Sequence, residues 1–293
     1  MTIFNLGSIN ADHSYDVPRF PRPGETLAAS GFATGLGGKG ANQSVAAAHA
    51  GSKVVHMGAV GADGAWAIER LRGWGIDVAH VQMIEEPTGH AIIYVNASGE
   101  NEIVIYSGAN LRIGPGAVRD ALGSAGRGDT LLLQNETNLQ KEAAAMAREK
   151  DMRIIYSAAP FSQQALKAIL PFASIVIMNA VEYEQFRAGS GSDKAQKGLE
   201  GILVTRGAEG ADWISPGSGA KEHVPAFPAE PVDTTAAGDT FAGYFAAGLD
   251  QGMTALEAMR LASAAAALKI TRPGTADAIP TRDEVEAYIA SVA

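Results

Sequence analysis

Apolar and polar positions alternate along this chain in blocks, and the period changes from block to block. Runs such as "KVVHMGAV", "TLLLQNE", "RIIYSAA", "SIVIMNA" and "GILVTRG" have the length and continuity of buried strands. Between most of them stand "GAWAIERLRGWG", "LQKEAAAMAREK", "QQALKAILPF" and "VEYEQF", which read as helices. Strand and helix in alternation predict an α/β fold: a doubly wound, mostly parallel sheet covered by helices on both faces, with ligands gathered at the carboxyl ends of the strands. Two stretches break the pattern. Residues 13–34 are rich in Pro and Gly, and "HAIIYVNASGENEIVIYS" alternates as a hairpin about a Ser98-Gly99 turn, with Ile92 and Tyr94 on one face and Ile93 and Val95 on the other. The two stretches, 13–34 and 88–108, predict a small β-sheet lid over the strand ends. The last third is helical and rich in Ala and Gly, which permits close helix packing. No repeat or long linker interrupts residues 1–293, so one domain carrying an inserted lid is expected.

Composition narrows the chemistry. A chain of 293 residues with 46% hydrophobic content has enough apolar surface for one large core. A net charge of −9 and the lack of any Lys/Arg run argue against nucleic acid as a partner. There is no cysteine, which excludes disulfides, thiol nucleophiles, Cys-ligated zinc and iron–sulfur clusters. The start "MTIFNLGSINADH" reads as a first strand rather than a signal peptide, and no apolar run approaches the length of a membrane span, so a soluble, cytoplasmic protein is expected. The six histidines show no metal-ligand spacing, and His56 in particular reads as a core or sheet residue.

Two motifs carry the candidate chemistry. "GLGGKGAN" places Gly35, Gly37 and Gly40 in a G-x-G-x-x-G frame, yet the preceding "TLAASGFAT" is not a hydrophobic strand and no Asp or Glu occurs between Glu25 and Asp63. The P-loop frame fails as well, since Gly40 follows Gly38-Lys39 where Ser or Thr belongs and Ala33 stands at the first glycine. What is left is a glycine-rich turn opening a helix at Asn42, suited to a polar or anionic ligand. The second motif, "DTTAAGDTF" from Asp233 to Phe241, leads into a helix. The amides of Ala236, Ala237 and Gly238 can face an anion there, with the Asp239 carboxylate beside them. A carboxylate would repel a resting phosphate, but it suits a reaction in which a proton leaves the hydroxyl that attacks that phosphate. The plainer reading, a helix-capping Asp239, stands beside it.

Taken together, "SINADH" (Ser8 to His13), "GGKGAN" (Gly37 to Asn42), "NAVE" (Asn179 to Glu182), "TRGAEG" (Thr205 to Gly210) and "DTTAAGDTF" resemble the ribokinase family of carbohydrate kinases over nearly the whole chain. The two short family signatures stand about 200 residues apart, and "SINADH", "GGKGAN" and the "NASGEN" turn are most similar to the ribose-phosphorylating members. The resemblance implies a ribokinase-like fold and ATP-dependent phosphorylation of the 5-hydroxyl of D-ribose, the alternative being another sugar (fructose, a ketodeoxy sugar acid) or a nucleoside. It implies that Asn10, Asp12, Gly38, Lys39, Asn42 and Glu136 hold the sugar and that Asp239 is the base, assisted by the amides of Ala236, Ala237 and Gly238. Asn179 and Glu182 would organise Mg2+ through water, and Thr205, Gly207, Gly210, Gly238 and Ser263 would line the ATP site. It further implies a homodimer formed through the lid. A family potassium site would involve Asp233, Thr235, Lys269, Arg272 and Gly274, but the position of a serine ligand is Ala278, so weak or absent potassium activation is expected.

Overall fold

The computed structural model describes residues 1–190 and 198–292. The apolar runs become strands at the expected places, and the chain order shows how the site is assembled. β1 (Thr2–Leu6) leads directly into β2 (Asn10–Asp16), and β3 (Gly31–Gly37) returns to α1 (Lys39–His49). There follow β4 (Lys53–Gly61), α2 (Ala65–Gly73), β5 (Asp77–Ile84) and the hairpin β6 (Gly89–Val95) and β7 (Asn101–Tyr106). Strand and helix then alternate through α3 (Pro115–Gly123), β8 (Thr130–Gln134), α4 (Gln140–Glu149), β9 (Arg153–Ser157), α5 (Gln163–Ile169), β10 (Ile175–Asn179), α6 (Ala180–Ser190) and β11 (Gly201–Thr205). The short strands β12 (Ala211–Ile214) and β13 (Lys221–Val224) precede three helices, α7 (Ala237–Asp250), α8 (Ala255–Ile270) and α9 (Arg282–Ser291).

The large sheet has nine strands in the order β13-β12-β11-β10-β9-β8-β1-β4-β5, parallel except where β12 and β13 pair antiparallel. From β1 the chain builds outward through β4 and β5, then crosses to β8 and builds the other way. That reversal opens a crevice at the carboxyl ends of β1 and β8, where ligands of open α/β sheets collect. Two apolar layers sandwich the sheet. One gathers side chains of α1, α2, α7, α8 and α9, the other those of α3 to α6. Strands buried on both faces explain the uninterrupted apolar runs.

The small residues of the last third do specific work. α7 is buried from Thr240 to Asp250. A Cβ on Gly243 would lie 2.5 Å from both the Ala46 Cβ and the Gln43 carbonyl oxygen of α1. The α1 and α7 backbones therefore meet at a distance that only glycine permits, and this brings the first turn of α7 against the first turn of α1.

The lid is a four-stranded sheet, β3-β2-β6-β7, in which β2 pairs antiparallel with β3 and parallel with β6, and β7 closes the hairpin on β6. It starts at Asn10, earlier than the expected residue 13, because β2 follows β1 after only a three-residue bend. No helix among the described residues is long and apolar enough to cross a membrane.

Candidate active site

The glycine-rich loop is dictated by crowding. A Cβ on Gly40 would fall 2.3 Å from Cα of Gly7, and one on Gly37 would fall 1.9 Å from the Asp12 carboxylate. Gly38 has φ of 90°, in the left-handed region that glycine occupies without cost. The loop thus lies against the exit of β1, where the Ala41 amide donates to the Ser8 carbonyl at 2.8 Å. α1 begins at Lys39 rather than at Asn42, so Asn42 sits in its first turn instead of capping it.

The turn before α7 forms the facing wall. Ala236 adopts the left-handed conformation, φ 59°, as the cap residue of α7. The three expected anion-binding amides are not equivalent. Ala237 donates its N–H to the Thr234 carbonyl at 3.2 Å, because the turn closes on itself there. The amides of Ala236 and Gly238 take no backbone partner among the described residues.

Asp239 joins the two walls. Its Oδ2 accepts from Asn42 Nδ2 and its Oδ1 from Gln43 Nε2, both at 3.0 Å. Burial pushes its pKa up, while the Lys39 ammonium and the two amide donors pull the other way. Gln43 is in turn oriented from behind. Gln134 Nε2 donates to Gln43 Oε1 and to Asn5 Oδ1, each at 2.8 Å, and Asn5 donates to the Gly40 carbonyl and to Ser44. Ser44 meets His56 Nδ1 at 2.8 Å, and burial lowers the His56 pKa to about 4, so this core histidine is neutral. Asn42 Oδ1 is buried without a hydrogen-bond partner, an acceptor left over for a ligand hydroxyl.

The remaining expected sugar residues surround the same point. Glu136, just past β8, accepts from the Ser8 hydroxyl and from the Lys39 amide at 3.0 Å, with Lys39 Nζ 3.6 Å from its other oxygen. Burial disfavours the Lys39 ammonium, but Asp239 and Glu136 outweigh it and hold its pKa above the ordinary value. Asn10 and Asp12 lie in β2. Asn10 Oδ1 accepts from Asn110 at 2.8 Å. The Asp12 pKa is raised to about 7, by burial first and by Glu136 next, against the lowering effect of Thr275.

Beside Asp239 a cavity of about 400 Å³ is lined by Lys39, Asn179, Glu182, Thr205, Thr234 and the turn Ala236 to Asp239. Asn179 and Glu182 bond reciprocally, Asn179 N–H to Glu182 Oε2 at 2.8 Å and Glu182 N–H to Asn179 Oδ1 at 2.9 Å, so they cap α6 as well as facing the cavity. Burial raises the Glu182 pKa. No group of three metal-ligating side chains exists among the described residues. The desolvated Glu182 carboxylate nevertheless fits a hard divalent ion that keeps its waters and takes its other oxygens from phosphates, while the open amides fit the phosphates themselves. Thr205 is level with Asn179 across β10 and β11. Gly207 and Gly210 shape the turn after β11 with φ of 57° and 98°, but they do not line this cavity. Ser263 is buried on α8 with its hydroxyl 3.2 Å from the Pro225 carbonyl, and it does not reach the cavity.

The potassium ligand set is not assembled as expected. Asp233 Oδ1 accepts from the Thr235 amide at 2.8 Å and Oδ2 from the Gly274 amide at 2.9 Å. The Asp233 carbonyl accepts from the Lys269 ammonium at 3.0 Å. The amides of Thr235 and Gly274 are thus spent on Asp233, and the Lys269 carbonyl accepts from the Arg272 amide at 3.0 Å. Ala278 is buried and offers no oxygen from its side chain. An ammonium at the Asp233 carbonyl and 4.0 Å from the Asp233 carboxylate does not fit a potassium ion beside it. A second unit charge about 4 Å from the ammonium would be repelled by about 4 kcal/mol at an effective dielectric constant near 20.

The description of pfkB family carbohydrate kinases matches residues 2–282. The chain belongs to that family. As a pfkB-family member it is a sugar kinase, a transferase of phosphoryl groups. It is 36% identical to a ribokinase of Haemophilus influenzae, covering 98% of each chain, and 32% identical to a deoxyribokinase of Salmonella typhi, covering 99% of each. It superposes on the structure of Arabidopsis thaliana ribokinase complexed with ribose and ATP with a TM-score of 0.85, at 28% identity and 98% coverage of both chains. The ribokinase-like fold expected from the motifs is therefore the fold of this kinase. Sequence reasoning missed Gln43, Gln134, Asn5, Asn110, Ser8 and Thr275. Gln43 was within reach, as the neighbour of Asn42 in the first turn of α1, and so was Ser8, which opens the "SINADH" motif, but the others carry no local signal.

Proposed function

We propose that the chain transfers the γ-phosphoryl group of ATP to the 5-hydroxyl of D-ribose. The observation that carries this reading is the Asp239 carboxylate, held by Asn42 and Gln43 of the sugar loop and set at the start of α7 beside the open amides of Ala236 and Gly238. A hydroxyl presented to Asp239 by Asn10, Asp12, Gly38, Lys39, Asn42 and Glu136 loses its proton to that carboxylate as its oxygen attacks the phosphorus. The orphaned Asn42 oxygen and the half-buried Asp12 and Glu136 carboxylates are acceptors suited to a polyol. The amides of Ala236 and Gly238 bind the charge that spreads over the equatorial phosphoryl oxygens, and Lys39 adds a cation on the same side. Asn179 and Glu182 would hold Mg2+ through water, which neutralises phosphate charge when bound. Thr205 lines the cavity where the phosphates would lie, and Gly207 and Gly210 in the turn after β11, with Ser263 on α8, would flank the rest of the nucleotide beyond it. The likeness to the ribokinases of Haemophilus influenzae and Arabidopsis thaliana supports ribose and ATP, and the 32% identity to a deoxyribokinase supports 2-deoxyribose as the second reading. A coupled assay of ADP release over ribose, 2-deoxyribose, fructose and adenosine tests the choice. The highest kcat/KM is expected with ribose, and turnover with adenosine alone would discard both pentose readings.

A further inference from the structure

The family potassium set counts only the backbone carbonyl of Lys269, but its side chain is fully buried in the last turn of α8 and has no role assigned so far. A buried ammonium is retained in a fold only where oxygens surround it. Its Nζ donates to the Asp233 carbonyl at 3.0 Å and lies 4.0 Å from Asp233 Oδ2. Three residues past that carbonyl is Ala236, left-handed at φ 59°, at the turn whose open amides are those of Ala236 and Gly238. The ammonium therefore holds the residue from which the phosphoryl-binding turn starts. Its charge also reaches Asp239. Both Asp233 carboxylate oxygens also accept backbone donors, from Thr235 and Gly274, so the aspartate is held in place from two sides.

We propose that Lys269 is the built-in monovalent cation of this kinase: its ammonium holds the Asp233 to Ala236 turn and supplies the positive charge beside it, so that catalysis needs no potassium. The inference rests on the kinase reading, and it assigns to a side chain what a bound ion would otherwise provide. A covalently attached ammonium does not have to be drawn from the surrounding salt; burial lowers its pKa, and Asp233 and Asp239 work against that. Its removal should open a hole of cation size lined by the Asp233 carbonyl and carboxylate.

Three measurements on the whole chain test this. Wild-type kcat in potassium chloride and in tetramethylammonium chloride at equal ionic strength should agree within about twofold, and a rise of about tenfold or more with potassium would overturn the proposal. The melting temperature of the wild type, read in the same two salts without substrate, should also agree, and a potassium-specific rise would overturn it whether or not any sugar is turned over. Lys269→Ala should lose at least about tenfold in kcat with little change in sugar affinity, and should regain part of it with millimolar ammonium or potassium. A Lys269→Ala enzyme that folds, loses activity and ignores added cations would reduce Lys269 to a packing residue. If that variant does not fold, Lys269→Met keeps the volume and carries the same kcat comparison. Absence of turnover with every sugar would strike the kinase reading, while the thermal comparison still decides the cation.

Discussion

At Asp239 the chemistry of the proposed reaction depends on a carboxylate that is partly desolvated yet tied by two amide donors. Asp239→Asn keeps the shape and removes the base, so kcat should fall by about 10²–10⁴-fold while sugar binding and the melting temperature stay near normal. Near-normal kcat in that variant would remove Asp239 from the mechanism. Asp12 presents a different balance. Its pKa is about 7 against an ordinary 3.8, held up by burial and by Glu136. The folded state therefore keeps this proton to higher pH than the unfolded chain, and the stability linked to it is complete below about pH 4 and is lost as pH rises toward 7. Asp12→Asn should melt above the wild type by a margin that grows from pH 4 to pH 7 and then levels off, with a raised KM for the sugar. A margin independent of pH would show that Asp12 is not strained in this way. Both aspartates were legible in the sequence because each lies in a short motif. Their supporters were not: Gln134 touches Gln43 across 91 residues and Asn110 touches Asn10 across 100, and no local pattern marks such a pair.

Helices and strands were legible wherever burial imposed a period. The β4, β8, β9, β10 and β11 strands fall on the apolar runs, and the hairpin of β6 and β7 turns through Ser98 and Gly99. The start of α1 was placed too late because Gly38 caps it by backbone conformation, with no capping side chain to read. What the period could not reveal is how near two helices come. The Ala and Gly content of α7 announces close packing in general, but that Gly243 is the contact with α1 depends on the crossing geometry. Gly243→Ala must push α7 off α1 by a few tenths of an ångström or more. The expected cost is about 1–3 kcal/mol of stability, as for other overpacked sites, together with a kcat loss, because the Asp239 bonds to Asn42 and Gln43 span the same interface. Thermal or denaturant unfolding measures the first effect and steady-state kinetics the second. Unchanged stability would mean that the helices are not held at glycine distance.

The lid gives the molecule as a whole an unfinished surface. Its outer strand β7 is exposed along its entire length, and Ile103, Val104, Ile105 and Tyr106 are 46–64% exposed, with Phe32 at 61% on the opposite edge strand β3. A four-stranded sheet with apolar side chains in water and an unpaired outer strand at β7 is poorly protected against pairing with another chain. A second copy meeting it lid to lid would cover these side chains, and the charge of −9 borne by each chain works against closer approach of the rest. The lid also carries Asn10 and Asp12 in β2, so under the proposed reading its order bears on sugar binding. We therefore propose that the chain is a homodimer joined through the lids. Light scattering at micromolar concentration should give twice the monomer mass of 30.3 kDa. Val104→Lys, which places a charge on the exposed strand far from Asp239, should shift the mass toward the monomer and raise KM for the sugar more than it lowers kcat, because the lid positions the acceptor while the base belongs to the main domain. A wild-type monomer with full activity would show that the lid closes alone.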